Sequence, residues 1–535
     1  MISVLATNIT SPLGFTTEEN YRAVLSGTSA LKRYEGLWGL PEPFAASLFT
    51  EEQRAKLEIN ECTFFEALAI RSIREALTHV QLDVASPRIV LILSTTKGNI
   101  GESPSEAAKV IAKALGVSTT PIVVCNACVS GLSAQLLANN LLSAGLYDYA
   151  IVVGAEVQSK FIVSGFQSLK AVSDEPCRPF DIERIGLNPG EAAATMIYGR
   201  MVNGQWSMVS GAARNDAYHN VSPSPQGEGL TSAIKAVMEG QDKERLATVC
   251  AHGTATLYND QMESVAIQRT GLSDIPLSAL KGYYGHTMGA AGVLETILTM
   301  RATDDGIVLP TKGFTELGVS GKVSISDESL QTNKTAFLKI MSGFGGCNVA
   351  ALFSKTTDNR RQTTDNKLHK THTIRLSSED GTSLTDIYKQ EIGNYPKFYK
   401  MDILSRLAFV ASELLFKAME ETQEVPAIIF FNHSSSIVAD RQFLKTINNA
   451  EGFFPSPSVF TYTLPNITTG EIAIRNHFQG ETSFYILPEK DEALMRQILE
   501  ATLLGTGAKS AISGWIDAES ETNYECELSM YITRK

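Results

Sequence analysis

Three side chains in this 535-residue chain are of types that could do nucleophilic chemistry on a carbonyl: Cys128, His252 and His286. Cys128 lies in PIVVCNACVSGLSAQLLANNLLSAG. The apolar run Pro121 to Val124 predicts a buried strand, and Leu132, Leu136, Leu137, Leu141 and Leu142 predict a helix from about Gly131 to Ala144. A second strand-like run, Tyr149 to Val153, closes a β-α-β unit. The thiol therefore sits at a strand-to-helix elbow. Free N–H groups and the positive end of the helix there favour a thiolate, lower its pKa and can hold an oxyanion formed on an attacked carbonyl. A small residue packed in a tight turn would occupy the same place, so the reading depends on partners. Both histidines lie in glycine-flanked turns. His252 follows the apolar run Leu246 to Cys250 in AHGTAT, and His286 stands in KGYYGHTMGAAG, which opens a helix through Leu294 to Met300. Glycines let another backbone approach each ring.

The elements that must position these groups alternate. A first strand and the turn Ser11-Pro12-Leu13-Gly14 lead to a helix start at Thr16. An amphipathic helix over 61–80 carries Phe65, Leu68, Ala69, Ile73, Ala76 and Leu77 on one side. A buried strand, Arg88 to Leu93, and a helix, Ser105 to Leu115, precede the elbow. Strands alternating with helices predict an α/β fold with a sheet covered on both faces. A second α/β half starts near residue 200 and ends, after the glycine turn Ser342-Gly343-Phe344-Gly345-Gly346, in an apolar strand to Phe353. The polar stretch from about 354 to 373 has no apolar period and predicts a linker.

Composition narrows the class. The length predicts two to four domains, and 43% apolar with 19% charged residues predicts a globular chain. A net charge of −12 without a basic tract argues against nucleic acid. No run of about 18 apolar residues predicts a membrane span. MISVLATNIT lacks a basic signal-peptide start and predicts a first strand. Seven scattered cysteines predict a reducing compartment, hence the cytoplasm.

With Cys128, His252, His286 and Phe344 in hand, the chain resembles the elongating, Cys-His-His type of β-ketoacyl-acyl-carrier-protein synthase, of thiolase-like fold. The resemblance covers residues 1–356 and rests on AHGTATxxNDxxE, KxxxGHxxGAAG, GFGGxN and CRPFDxxRxG in that family's order, leaving the last motif upstream at Cys177. It implies a layered α-β-α-β-α arrangement of two related halves, 1–200 and 201–356. It also implies that Cys128 takes the acyl chain as a thioester, while His252 and His286 polarise the malonyl thioester and stabilise the enolate left by carbon dioxide. Lys281 should pair with Glu263 to hold the histidines, with Asp260 in the same network. The N–H groups of Cys128 and Phe344 should form the oxyanion hole, the Phe344 ring should gate the acyl pocket, and Gly345, Thr254 and Thr256 should line the substrate site. No metal and no cofactor is implied. The implied partner is an acyl carrier protein in acyl and malonyl forms, in fatty acid, polyketide or aryl-polyene-like synthesis, within a homodimer, a pseudo-dimer or a heterodimer with a ketosynthase-like subunit.

The chain departs from the pattern at Ala255, Ala192 and Ser342, and the region is short. The resemblance therefore carries no chain-length specificity. Other readings fit less well. Cys125-x-x-Cys128 could be a redox pair, but it lies in an apolar run with no thioredoxin-sized unit around it. A zinc site lacks a second cysteine pair at ligand spacing. A Cys-His hydrolase leaves the second histidine unused. A catalytically reduced, chain-length-factor-like scaffold that binds a carrier protein and pairs with another synthase is the alternative function.

Residues 374–535 read as a degenerate repeat of the first half without a nucleophile. The helix of 401–421 parallels that of 61–80, and the strand Val425 to Phe431 before Asn432-His433-Ser434 parallels the strand before Ser94-Thr95. SVFTYTLPNITTGEIAIRNHFQGETSFYIL (458–487) reads as strand, turn, Gly, helix, Gly, strand, in the order of the Cys128 stretch, and matching Gly470 to Gly131 places Ile467 where Cys128 stands. His433 and His477 read as ordinary histidines. Such a half-repeat could dock on the ketosynthase edge as a pseudo-partner fused in cis.

Overall fold

The structure, a computed structural model, describes residues 2–200, 204–355, 367–419, 425–448 and 452–534. Its largest feature is one sheet of ten strands. Five come from the N-terminal part: β1 (Ile2–Thr10), β2 (Ile89–Ser94), β3 (Ile122–Val124), β4 (Tyr149–Glu156) and β5 (Ala192–Arg200). A six-stranded sheet follows, built from β6 (Ser207–Asn215), β7 (Leu246–Cys250), β8 (Pro276–Ser278), β9 (Ser324–Ile325), β10 (Ala336–Gly343) and β11 (Cys347–Ser354). The last part returns to the first sheet with β12 (Lys367–Ser377), β13 (Ala427–Asn432), β14 (Thr482–Ile486), β15 (Ser510–Ser520) and β16 (Asn523–Arg534).

The order across the long sheet is β1-β5-β4-β2-β3-β14-β13-β15-β16-β12. It reads as a palindrome of topology. β2 runs parallel to β3 and β4, as β13 does to β14 and β15. β4–β5–β1 and β15–β16–β12 are both antiparallel. The halves join at β3 and β14, antiparallel, with Val124 opposite Tyr485 and Val123 opposite Ile486.

Helices repeat the pattern. On one face lie α1 (Phe64–Leu77), capped by Thr63 and Glu66 in a reciprocal box, and α6 (Ile403–Lys417), capped by Asp402. On the other, α3 (Ser130–Ser143), which follows β3, packs along α9 (Glu492–Thr506), which follows β14. Nearly every residue of α3 is buried, because the six-stranded sheet and α5 (Ala291–Asp304) cover its other side. Glycine permits that contact: a Cβ on Gly131 would stand 2.8 Å from the Gly289 carbonyl oxygen.

Three expectations change. Residues 367–373 belong to β12, paired with β16, and not to a linker; residues 356–366 lie outside the described residues. The run Pro457–Thr461 is a short helix, α7, not a strand, because Ser456 caps it and Pro457 fits its first turn. The TLPNITTG segment therefore precedes β14 instead of following the counterpart of β3. It leads into α8 (Ile467–Asn476), and the position matching the Cys128 elbow is the turn Leu487-Pro488-Glu489-Lys490-Asp491 before α9. That turn has no thiol either. No helix among the described residues is long and apolar enough to cross a membrane.

Candidate active site

Cys128 sits in a 3₁₀ turn, Ala127–Val129, between β3 and α3, and is 8% exposed. Ala127 holds a φ of 48°, a left-handed conformation costly for a residue with a Cβ. The turn is braced by Asn126, whose N–H donates to Ser130 Oγ at 2.8 Å and whose Oδ1 accepts the Phe484 N–H at 2.7 Å. The elbow is thus tied directly to β14.

Burial pushes the Cys128 thiol up to about 12, and Lys281 only partly opposes this. The helix N-terminus was expected to lower that value; removal from water outweighs it, and the resting sulfur is a neutral thiol. Cys125, three residues earlier, is buried with its Sγ against the Thr96 carbonyl and takes no part.

The sulfur and one nitrogen of each of His252 and His286 lie within 4.8 Å of one another. The two imidazoles meet edge to face, ring centres 5.0 Å apart. Burial, then the Lys281 charge, pushes both histidines well below the ordinary value, so both are neutral near pH 7. Their surroundings assign the tautomers. Lys281 Nζ, which can only donate, lies 3.2 Å from His252 Nδ1, and the Met288 N–H donates to His286 Nδ1 at 3.2 Å. Each ring therefore carries its proton on Nε2. His286 Nε2 is buried without a partner, so that donor is free for a ligand oxygen. The same donor set, one soft sulfur and two imidazoles, could ligate a soft metal ion.

The supporting residues differ from expectation in one pairing. Lys281 does not pair with Glu263. It donates to Glu295 on α5 at 2.7 Å and to the His252 carbonyl at 2.5 Å, and Lys339 on β10 donates to the other Glu295 oxygen at 2.6 Å. Glu263, on α4 (Leu257–Arg269), instead accepts the N–H groups of His252 and Gly253, each at 2.7 Å. It fixes the loop and leaves the ring to Lys281. Burial raises Glu263 to about 7. Asp260 accepts the Phe180 N–H at 2.8 Å and so holds the CRPFD loop beside His252; burial raises it to about 6. Glu156 accepts the N–H groups of Thr96 and Gly289, at 2.9 and 3.0 Å, locking the His286 turn to the ends of β2 and β4.

Glu295, Lys339, Glu156 and Asn126 were missed. Two left a signal: Glu295 is a lone charge in the apolar helix AAGVLETILTM, and Lys339 a lone charge in the apolar strand AFLKIM. A buried charge demands a partner.

Cys128, His252, His286, Thr254, Thr256 and Phe344 line one cavity of about 250 Å³. Thr254 and Thr256 share a hydrogen bond of 2.8 Å. Gly345 is turned away, against α8. Cys128, Phe166 and Phe344 also wall a second void of about 20 Å³, closed by Phe460 and Leu464 from the C-terminal part. Phe344 packs on Phe166, ring centres 6.0 Å apart. Neither His433 nor His477 lines either space; His477 ends α8 with a φ of 56°.

Comparison with known proteins finds similarity over both halves of the ketosynthase part. Family models described as "Beta-ketoacyl synthase, N-terminal domain" and "Beta-ketoacyl synthase, C-terminal domain" match residues 92–201 and 207–315. The tetracenomycin polyketide synthase ketoacyl synthase alpha subunit of Streptomyces glaucescens is 27% identical over 277 residues, 48% of this chain and 65% of that protein. The 3-oxoacyl-[acyl-carrier-protein] synthase 2 of Vibrio cholerae is 27% identical over 66% of this chain and 99% of its own length. Among solved structures, a β-ketoacyl synthase from Burkholderia phymatum covers 66% of the chain with a TM-score of 0.61 at 22% identity. The PfaC keto synthase-chain length factor covers 99% of this chain and 78% of its own, with a TM-score of 0.79 at 12% identity. Residues 92–315 are thus similar to the β-ketoacyl synthases, and the fold is that of solved ketosynthases.

Proposed function

We propose that the chain catalyses decarboxylative Claisen condensation between an acyl primer and a malonyl group, both delivered by an acyl carrier protein. The observation that carries this reading is the convergence of one buried thiol with two neutral imidazoles that present Nε2–H donors.

In the first step Cys128 Sγ attacks the primer thioester. The new sulfur–carbon bond replaces the bond to the carrier thiolate, which leaves with the cysteine proton. In the second, the malonyl carboxylate departs as carbon dioxide, and its bonding pair becomes an enolate whose oxygen is held by His252 and His286. A neutral donor suits this step better than an imidazolium, which would hold the enolate by giving up its proton. The enolate carbon attacks the acyl carbonyl. The N–H groups of Cys128 and Phe344 take the resulting oxyanion, and collapse expels the Cys128 thiolate, which is reprotonated.

The same proposal covers the architecture. Residues 374–535 are read as a degenerate half-repeat that serves as a built-in partner. Its support is the palindromic strand order and the β3–β14 pairing, which occupies the edge a second ketosynthase would use. Phe460 and Leu464 then form the floor of the primer pocket, whose void of about 20 Å³ has room for about one water and must widen to take even a short acyl group. A cytoplasmic setting is supported by seven free thiols.

Mass spectrometry after incubation with acyl-carrier thioesters of graded length tests the reading. We expect an acyl adduct on Cys128 from short primers, none in Cys128→Ala, and longer primers accepted by Phe460→Ala. No adduct at any length would replace the enzyme with a scaffold that binds a carrier and pairs with another synthase.

A further inference from the structure

The gate residue Phe344 stands on a loop of the ketosynthase part, yet its own carbonyl is held from the C-terminal part. Asn466, at the start of α8, donates Nδ2 to the Phe344 carbonyl at 2.8 Å. Gly470, one turn on, packs so closely that a Cβ there would lie 2.7 Å from the Gly345 carbonyl oxygen. The Gly345 N–H donates to the Asn220 carbonyl at 2.7 Å, and Asn220 Nδ2 in turn donates to Glu471 at 2.5 Å. Glu471 is fully buried. It also accepts from Tyr462 OH at 2.8 Å and pairs with Lys397 Nζ at 2.8 Å. Asn215 completes the set, donating to the Gly345 carbonyl at 2.8 Å and to Thr482 of β14 at 3.0 Å.

Among the described residues, Asn466 is thus the direct hydrogen-bond tether from the C-terminal part; the Gly345 and Gly346 backbones are held by Asn215, Asp216, Asn220 and Asn348 of the ketosynthase part, of which Asn215 and Asn220 are braced in turn by Thr482 and Glu471. Gly345 and Gly346 have φ values of 85° and 73°, a conformation glycine adopts without a steric penalty and from which it can leave. Phe344 borders both the mouth cavity and the closed acyl void.

We propose that α8 is a clamp on the gate: Asn466 directly, and Glu471 through Asn220, set how readily Phe344 swings to admit a chain. They are positioning residues, acting through the loop, and the proposal rests on the reading of Phe344 as the acyl gate. The C-terminal part thereby controls entry as well as pocket depth.

The test uses the full chain and needs no carrier protein. Alkylation rates of Cys128 are measured with iodoacetamide and with a long N-alkyl iodoacetamide, and the long-to-short ratio reads the gate. Asn466→Leu keeps the size but cannot donate to the Phe344 carbonyl. We expect it to raise the ratio about fivefold, the factor one lost hydrogen bond carries, and Asn466→Ala to do at least as much. Glu471→Gln, which still accepts from Asn220 and Tyr462, should shift it less than about twofold. Gly470→Ala, which must displace Gly345, supplies an independent shift if the Asn466 variants do not fold. A wild-type ratio in a folded Asn466→Leu or Gly470→Ala protein overturns the clamp. Failure of the carrier-thioester adduct with a shifted alkylation ratio would sink the condensation reading and leave the clamp standing.

Discussion

The two ends of the β3–β14 junction have the same scaffolding and opposite chemistry. Each strand enters a turn and then a helix, and the helices α3 and α9 pack on each other across the junction. On the β3 side the turn carries Cys128 and faces His252, His286 and Phe344. On the β14 side the turn carries Glu489 and Lys490, and the cavity beside it, lined by Lys370, Arg496, Trp515 and Glu527, holds neither thiol nor imidazole. The difference teaches that the elbow is a structural unit of the sheet junction. On the Cys128 side, and not on the other, loops of a second sheet bring two neutral imidazoles over it.

The largest effects should separate the two sides completely. Cys128→Ala should abolish the acyl adduct, and Lys490→Cys should gain none, since the cavity beside that turn is lined by no pair of neutral imidazoles. An adduct on the cysteine introduced at 490, seen by peptide mapping, would break the comparison. Next comes the role of the facing sheet. His286→Ala should lower condensation by about 10²–10³-fold, the loss of one preorganised donor, while Cys128 acylation stays within a few-fold. Equal losses in single-turnover acylation and in carbon dioxide release would remove the division of labour between sulfur and imidazole.

A smaller effect should come from the junction itself. Asn126→Ala strips the Phe484 N–H of its acceptor in the middle of the ten-stranded sheet. A buried donor left unpaired costs about 1–3 kcal/mol, read as a lower urea midpoint. Because Asn126 is two residues from Cys128, acylation should fall too. An unchanged midpoint would mean that β14 is not held through the elbow.

How much of this could be read from residues alone follows the same division. That Cys128, His252, His286 and Phe344 would line one cavity was legible because their settings are local: glycine-rich turns beside apolar strands announce where backbone must approach closely. The resting state of the thiol was not, because a helix end is visible in sequence and the depth of burial is not. Lys281 was legible as a supporting cation, but its partner was not, since Glu295 and Glu263 lie on different helices and only packing decides which carboxylate reaches which nitrogen. In the C-terminal part the strand–helix alternation was legible, and its register was not. Phe460-Thr461-Tyr462 has the composition of a strand, and Ser456-Pro457 overrides it as a helix start. That single misreading moved the supposed elbow from the turn after β14 to α8, whose preceding residue, Asn466, donates to the Phe344 carbonyl.

The smallest effect is electrostatic, and it also belongs to one side of the junction. His252 and His286 titrate near 6.5 in an unfolded chain and well below that when buried beside Lys281. Below pH 6.5 the unfolded chain therefore takes up protons that the folded chain refuses. The stability present above 6.5 is lost as pH falls toward the folded values, by at most about 1.4 kcal/mol per pH unit for each histidine. Glu156 and Glu263 work in the opposite sense. Burial raises both to about 7, so between about 7 and 4.5 the folded chain binds protons first and gains stability on acidification. The absolute curve is a sum of these terms, and the difference between wild type and His286→Asn isolates one of them. The variant should lose less stability than wild type as pH drops below 6.5, the gap widening with each unit until the folded imidazole protonates. Parallel urea-midpoint curves for the two proteins across that range would mean that His286 is not held neutral by its burial, and the enolate donor would have to be sought elsewhere.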